Sequence, residues 1–117
     1  MLGAFADRRW VFVDVETTGS SPARERVTEV GIVTVETDGE AQRVTEWSSL
    51  VNPGVPIPSE IQWLTGISNE MVRDAPRFAE LAELLYDRLS DAVFVAHNAR
   101  FDYGFLKAEF ARAGYDW

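Results

Sequence analysis

The dipeptide Asp38-Gly39 limits the possible folds of this sequence most, because it joins two strand-forming runs by a tight turn. The two runs cover residues 27–36 and 43–51, and both are rich in residues that favour β-strands. Aspartate followed by glycine between such runs is a strong signal for a β-hairpin. A third run of β-branched and aromatic residues, 10–16, precedes the hairpin. The first half of the chain is therefore predicted to form three antiparallel strands.

The second half of the sequence predicts helices and one further strand. Residues 52–58 contain three prolines and are expected to form a loop. Short helices are predicted at residues 59–64 and 68–72, each starting at a serine that can cap it. Apolar residues recur at helical spacing over residues 76–89. Residues 92–96 are predicted to form a short buried strand, and Asn98 is predicted to cap a last helix that ends near Gly114.

These elements together predict an α/β fold with a mixed sheet of three antiparallel strands and one parallel strand. The fourth strand is predicted to be parallel because a helical crossover precedes it. The first strand has apolar residues in both alternating positions, which predicts a strand covered on both faces. An α/β unit normally continues with another strand and helix. We therefore expect residues 1–117 to be the N-terminal part of one domain, truncated before its last strand and helix.

The charge and composition narrow the possible functions. A net charge of -8 argues against a protein that coats nucleic acid through its own cations. An enzyme that meets phosphate through bound divalent cations escapes this objection. The sequence has no cysteine and one histidine, His97, so oxygen atoms or that imidazole must hold any metal. Residues 1–10 lack a signal-peptide pattern and no stretch could span a membrane, so we expect a cytoplasmic protein without a membrane partner.

Two acidic residues at the end of the first strand, Asp14 and Glu16, form the first candidate site. The two-residue period of a strand directs both carboxylates to the same face. A divalent cation between them would keep both ionised at low cost. The alternative is a pair of solvated acids at a strand end. The turn that follows, Thr17 to Gly19, offers hydroxyl and backbone N–H groups where a phosphate would approach, which favours the metal site.

A third acid, Asp102, lies on the face of the last helix that should be buried. It shares this face with Phe105 and Leu106, three and four residues further on. The alternative role for Asp102 is a contact with the dipole at the start of its own helix. The strand over residues 92–96 is expected beside the first strand, so Asp102 could reach the same metal site as the first two acids.

Two motifs in this sequence resemble those of a known family. The motif D-V-E-T-T-G at residues 14–19 and the motif H-N-A-R-F-D-Y-G-F-L at residues 97–106, with L-T-G-I between them at residues 64–67, resemble the first two motifs of the DEDD-superfamily 3′-to-5′ exonucleases. The pattern is similar to that of the epsilon proofreading subunit of bacterial DNA polymerase III. The resemblance implies a ribonuclease H-like fold. It also implies release of nucleoside 5′-monophosphates from single-stranded or frayed DNA 3′ ends, in proofreading or repair.

The resemblance further implies roles for individual residues. Two divalent cations, Mg²⁺ or Mn²⁺, would be held by the catalytic carboxylates of Asp14, Glu16 and Asp102. Glu60 would meet the 3′ end of the substrate, and His97 would support or orient the substrate instead of acting as the general base. The remaining implied substrate contacts are Thr17, Thr18, Leu64, Thr65, Asn98 and Phe101.

The sequence departs from the family pattern in one respect. The family has a third motif, in which a histidine general base precedes a fourth carboxylate, and no histidine follows the second motif here. We expect that motif beyond Trp117, so residues 1–117 alone are predicted to be nearly inactive and to bind metal weakly. Possible partners are a DNA polymerase subunit or a fused second nuclease domain.

Other functions and interpretations remain open from the sequence. One alternative is a non-catalytic module that forms a homodimer, and another is an enzyme that trims RNA. Several large aromatic residues are predicted to be core residues, in preference to base-stacking platforms, because of their strand or helical spacing. They are Trp47, Trp63, Phe101, Phe105 and Phe110.

Overall fold

The computed structural model describes residues 8–117, so most of the segment without a signal-peptide pattern lies outside the described residues. Its centre is one four-stranded sheet. The strands are β1 (Arg9–Thr17), β2 (Val27–Asp38), β3 (Ala41–Leu50) and β4 (Ala92–Val95). Their order in the sheet is β3-β2-β1-β4. Strand β1 pairs antiparallel with β2, β2 pairs antiparallel with β3, and β1 pairs parallel with β4. The predicted mixed sheet is therefore confirmed.

The four helices that the structure describes begin and end within two residues of their predicted bounds. Ser68 caps the second helix as predicted, because its hydroxyl accepts the N–H of Met71 at 3.1 Å. The prediction that Ser59 caps the first helix is wrong, because Ser59 is already the first helical residue and Pro58 precedes it. The helices are α1 (Ser59–Thr65), α2 (Asn69–Val72), α3 (Phe78–Leu89) and α4 (Ala99–Arg112).

The main core lies between one face of the sheet and helices α3 and α4. Alternate residues of β1, Val11, Val13 and Val15, are buried on this face, as the two-residue period of a strand requires. Phe105 and Phe110 of α4 are fully buried against them. The core positions predicted for these two aromatic residues are therefore confirmed.

The opposite face of the sheet is open, which contradicts two predictions. Strand β1 was predicted to be covered on both faces, but Phe12 is 42% exposed. Strand β4 was predicted to be buried, but all its residues are half-buried. Apolar composition alone does not show on which side helices will pack, and among residues 8–117 α3 and α4 cover only the face of Val11.

A second, smaller cluster connects α1 to the end of the sheet. Its buried members are Ile57, Ile67 and Val72, and Leu50 and Ile61 pack against them. Leu50 is the last residue of β3, and it pairs with Glu29 of β2, which in turn pairs with Glu16 of β1. Helix α1 is therefore attached at the end of the sheet where Glu16 lies. None of the helices within residues 8–117 is long and apolar enough to cross a membrane.

Candidate active site

Asp14 and Glu16 lie on the open face of β1, as predicted from their spacing. They alternate with the buried residues Val13 and Val15, and Asp14 is exposed while Glu16 is half-buried. Both carboxylates therefore point away from the main core, on the part of β1 that pairs with β2.

The third acid, Asp102, is held against the same part of β1. Its carboxylate Oδ1 accepts the backbone N–H of Val15 at 3.0 Å, and the residue is only 4% exposed. Strand β4 pairs with β1 only as far as Phe12, which is opposite Val95. Beyond that point β4 does not reach β1, and the Asp102 side chain of α4 accepts the backbone N–H of Val15 instead. Asp102 therefore lies beside the stretch of backbone that joins Asp14 to Glu16.

The electrostatics of the site also show that these acids are neighbours. Burial raises the pKa of Glu16, and the charges of Asp14, Glu29 and Asp102 raise it further. Burial also raises the pKa of Asp102, with a smaller contribution from Asp14 in the same direction. The hydrogen bond from Val15 and the charge of His97 act in the opposite direction on Asp102. Four acids thus share one electrostatic environment.

Within residues 8–117 none of these acids forms an ion pair. The ion pairs in this part of the chain join Arg8 to Asp91 and Arg112 to Glu109. In the same part of the chain, no three histidine or acidic side chains are already arranged to hold one ion between them. The described carboxylates therefore form a concentration of negative charge, and not a closed metal cage.

The turn after Glu16 is ordered by its own threonines. The hydroxyl of Thr17 donates to the carbonyl of Gly19. The hydroxyl of Thr18 donates to Glu25 Oε2 at 2.7 Å and accepts the N–H of Arg26 at 3.0 Å. Both threonines are buried, so their side chains shape the turn in this structure. Glu25 was not predicted to matter, and only its spacing from Thr18 across a short loop could have indicated this contact.

The beginning of α4 carries the second motif to the edge of the open face. His97 is exposed, and it lines a concavity of about 880 Å³ together with Phe12, Asp14 and Trp47. The side chain of Asn98 was predicted to cap α4, but it makes no capping hydrogen bond. Its backbone carbonyl instead accepts the N–H groups of two residues in the first turn, at 3.0 Å each. Asp102 in this first turn accepts the N–H of Val15 in β1. The motif at residues 97–106 is therefore fixed to the sheet without a side-chain cap.

The ring of Phe101 is half-buried and lies 4.8 Å from the ring of Phe105. Phe101 was predicted to be a core residue, and it packs against the main core without being fully covered.

Helix α1 carries the other predicted substrate contacts on its surface. Glu60 and Leu64 are exposed, and Leu64 is 73% exposed. The hydroxyl of Thr65 donates to the carbonyl of Ile61 at 2.8 Å, so it serves the helix. The prediction that Trp63 belongs to the core is wrong, because its side chain is 87% exposed.

A further buried acid, Glu109, was missed by the sequence reasoning. Its Oε2 accepts the N–H of Val27 at 2.8 Å, and its Oε1 lies 3.1 Å from Arg112 Nη1. Glu109 lies seven residues after Asp102, which places both acids on the same face of α4. One acid therefore joins α4 to β1, and the other joins it to β2.

The comparisons with known proteins agree with this arrangement. The sequence profile of the RNase T exonuclease family matches residues 11–116. The chain belongs to this exonuclease family. Over 109 residues it is 41% identical to the 3′-5′ exonuclease DinG of Bacillus subtilis (strain 168), which covers 92% of this chain and 11% of that protein. It is also 37% identical over 111 residues to the PolC-type DNA polymerase III of Caldanaerobacter subterraneus, which covers 95% of this chain and 8% of the polymerase.

Solved structures show the same fold. A product-bound structure of exonuclease I matches 94% of this exonuclease domain and 27% of that chain, with a TM-score of 0.79 and 22% identity. A structure of E. coli exonuclease I with a dT13 oligonucleotide matches 93% of the domain and 25% of that chain, with a TM-score of 0.79 and 22% identity. The domain therefore has the ribonuclease H-like exonuclease fold. It spans about a tenth of the length of the relatives DinG and PolC.

Proposed function

We propose that this exonuclease domain supplies most of the catalytic centre of a metal-dependent 3′-to-5′ exonuclease acting on DNA ends. The observation that carries the proposal is the 3.0 Å hydrogen bond from the Val15 N–H to Asp102 Oδ1. This bond holds the acid of α4 beside the backbone between Asp14 and Glu16. Acids from two separate elements therefore lie at the same end of β1, where hydrolysis of a phosphodiester through bound cations would need them.

The donor set fits Mg²⁺ or Mn²⁺. Carboxylate oxygens are the ligands that these hard cations prefer. Burial and mutual repulsion raise the pKa values of Glu16 and Asp102, and a cation would favour their ionised forms. Asp14 and Glu16 would bind the ions directly. Asp102, which has one oxygen committed to Val15, would bind with its other oxygen, directly or through water.

The residues around the carboxylates would bind and orient the substrate. Bound divalent cations would make a water molecule more acidic and would neutralise charge on the leaving 3′ oxygen, and the product would be a nucleoside 5′-monophosphate. The turn at Thr17 and Thr18 would place its backbone against the terminal nucleotide. His97, at the edge of the concavity that Asp14 also lines, would orient that nucleotide. Asn98, Phe101, Glu60, Leu64 and Thr65 would form the rest of its surroundings.

The general base is proposed to come from residues outside these 117. His97 is the only histidine in the sequence, and it lies on the rim of the concavity, where a substrate-orienting role suits it. A water attacking a phosphate is activated most effectively by a base within hydrogen-bond reach. Residues 1–117 alone should therefore cleave DNA at a small fraction of the rate of a longer chain that supplies this histidine and a fourth carboxylate.

Single-stranded DNA is the proposed substrate, in a cytoplasmic protein linked to a polymerase or to another nuclease domain. Two relatives support this choice, since one is a DNA polymerase and the other, exonuclease I, is seen with a dT13 oligonucleotide. RNA trimming is the alternative substrate class, since the chemistry itself does not depend on the 2′-hydroxyl.

The test compares the 117-residue chain with a longer natural chain on 5′-labelled single-stranded DNA and RNA, with Mg²⁺, Mn²⁺ or chelator. We expect shortening of DNA from its 3′ end by the longer chain, only with a metal ion, and its loss in Asp14→Ala. Cleavage that continues in the chelator, or that survives Asp14→Ala, would contradict the proposal. Faster shortening of RNA than of DNA would reassign the substrate but keep the chemistry.

A second candidate function, a homodimerising module, is favoured by one observation. The open face of the sheet leaves Phe12 42% exposed and Val44 57% exposed, and exposed apolar patches often mark association sites. A second copy of the chain would cover this face. Light scattering after size exclusion should then show a dimer that Phe12→Ser weakens, whereas a monomer at all concentrations would exclude this function.

A further inference from the structure

One exposed side chain on α1 has no role in the site described above. Trp63 is 87% exposed, more than any other large apolar side chain among residues 8–117. Single exposed apolar residues are common on protein surfaces, so exposure alone assigns nothing. The position of Trp63 in the helix and the place of that helix in the fold provide two further observations.

The first observation is that Trp63 shares the outer face of α1 with two proposed substrate contacts. It lies three residues after Glu60 and directly before Leu64, and all three are exposed. Residues at positions i, i+3 and i+4 lie on one face of a helix. The side of α1 that holds Ile61 packs against the smaller core cluster. A strand of nucleic acid bound along Glu60 and Leu64 would therefore pass the indole of Trp63.

The second observation is that α1 is attached close to the catalytic carboxylates. Glu16, Glu29 and Leu50 lie side by side on three neighbouring strands. Neighbouring strands are about 4.8 Å apart, so Leu50 lies about 10 Å from Glu16 in the backbone. Leu50 packs against the cluster that also holds Ile61 of α1. Helix α1 therefore lies beside the end of the sheet that carries Glu16, and a strand that leaves the site on this side would run along α1.

We propose that Trp63 is a stacking platform for a base of single-stranded substrate near its 3′ end, upstream of the scissile phosphate. The inference rests on the proposed function. With a net charge of -8, the chain gains little affinity from neutralising phosphates with its own cations. Stacking on an aromatic side chain is a source of affinity that needs no cation and accepts any base. An exposed indole on the substrate-facing side of α1 would supply it.

The test is an NMR titration of the 117-residue chain with an eight-nucleotide dT strand and with matched strands that carry one abasic sugar. The indole N–H signal of Trp63 is the one that disappears in Trp63→Phe. Stacking should shift this signal upfield. Trp63→Ala should weaken binding about five-fold or more, while Trp63→Phe should retain most of it. Leu84→Ala, which also removes an exposed apolar side chain but from α3, is the matched control and should bind as the wild type does.

The position of the stacked base follows from the abasic strands. One abasic position near the 3′ end should weaken binding to the wild type but not to Trp63→Ala. If the wild type binds the strand and the Trp63 signal does not shift, or if Trp63→Ala binds equally well, the stacking inference is overturned and the exonuclease proposal stands. If the wild type and the longer natural chain both fail to bind any single strand, the exonuclease proposal fails and the stacking inference fails with it.

Discussion

Replacing Asp102 separates its role as a charge from its role as a hydrogen-bond acceptor. Its carboxylate accepts the Val15 N–H at 3.0 Å while being only 4% exposed. Asp102→Ala leaves this amide without a partner in a position that water hardly reaches. Asp102→Asn keeps an oxygen that can accept the same N–H, and it removes the negative charge beside Asp14.

The two variants should therefore differ in stability. An unsatisfied buried donor costs about 1–3 kcal/mol, so Asp102→Ala should lower the free energy of unfolding by about that amount. Asp102→Asn should remain close to the wild type at neutral pH, because removing the buried charge offsets the weaker hydrogen bond. Urea unfolding followed by tryptophan fluorescence measures both values. Equal stability of the two variants would refute the assigned hydrogen bond.

The stability of the wild type and that of Asp102→Asn should also depend differently on pH. Burial raises the pKa of Asp102 in the folded chain, so the folded state binds this proton more tightly than the unfolded state does. The free energy of unfolding should then fall as the pH rises from about 4, the ordinary carboxyl pKa, through the raised folded-state pKa. Asp102→Asn should lack this part of the slope. A variant whose pH profile is parallel to that of the wild type would contradict the assignment.

Three further predictions concern the other acids. Mn²⁺ should raise the melting temperature of the wild type by binding only the folded state, and Asp14→Asn should lose this rise, whereas a rise of equal size would exclude Asp14 as a ligand. Mn²⁺ affinity measured by calorimetry should increase as the pH rises above the ordinary carboxyl range. Burial raises the pKa of Glu16, and its proton must leave before the metal binds. An affinity independent of pH would contradict this. Glu109→Ala should lower the free energy of unfolding by about 1.5–3 kcal/mol through loss of its bond to the Val27 N–H, with the response to Mn²⁺ unchanged. A Glu109→Ala chain as stable as the wild type in urea would show that this bond contributes nothing.

The sequence predicted the sheet and the helices because these depend on local patterns. The Asp38-Gly39 turn indicated the hairpin, and the positive φ of 66° at Gly39 shows why glycine is needed there. Helical spacing placed α3, and Asn98 and Gly114 marked the ends of α4, each to within two residues. The burial of Asp102 was predictable as well, because its neighbours on the helix face, Phe105 and Leu106, are apolar.

The features that the sequence did not predict depend on contacts between distant elements. Apolar residues on both faces of β1 could not show that the helices would cover only one of them. Trp63 was predicted to be a core residue from its spacing, yet Ile61 is the residue of α1 that packs against the smaller core cluster. Glu25 and Glu109 appear as ordinary surface acids until the fold brings them to Thr18 and Val27.

The most direct test of the account is where manganese binds. Crystals of the 117-residue chain soaked in Mn²⁺, with data collected at a wavelength where manganese scatters anomalously, locate the ion without reference to any assay. We expect an anomalous peak between the side chains of Asp14 and Glu16, with the free carboxylate oxygen of Asp102 facing it directly or through one water. Peaks only at other acids of the surface, with none at this end of β1, would show that these three carboxylates are not a metal site.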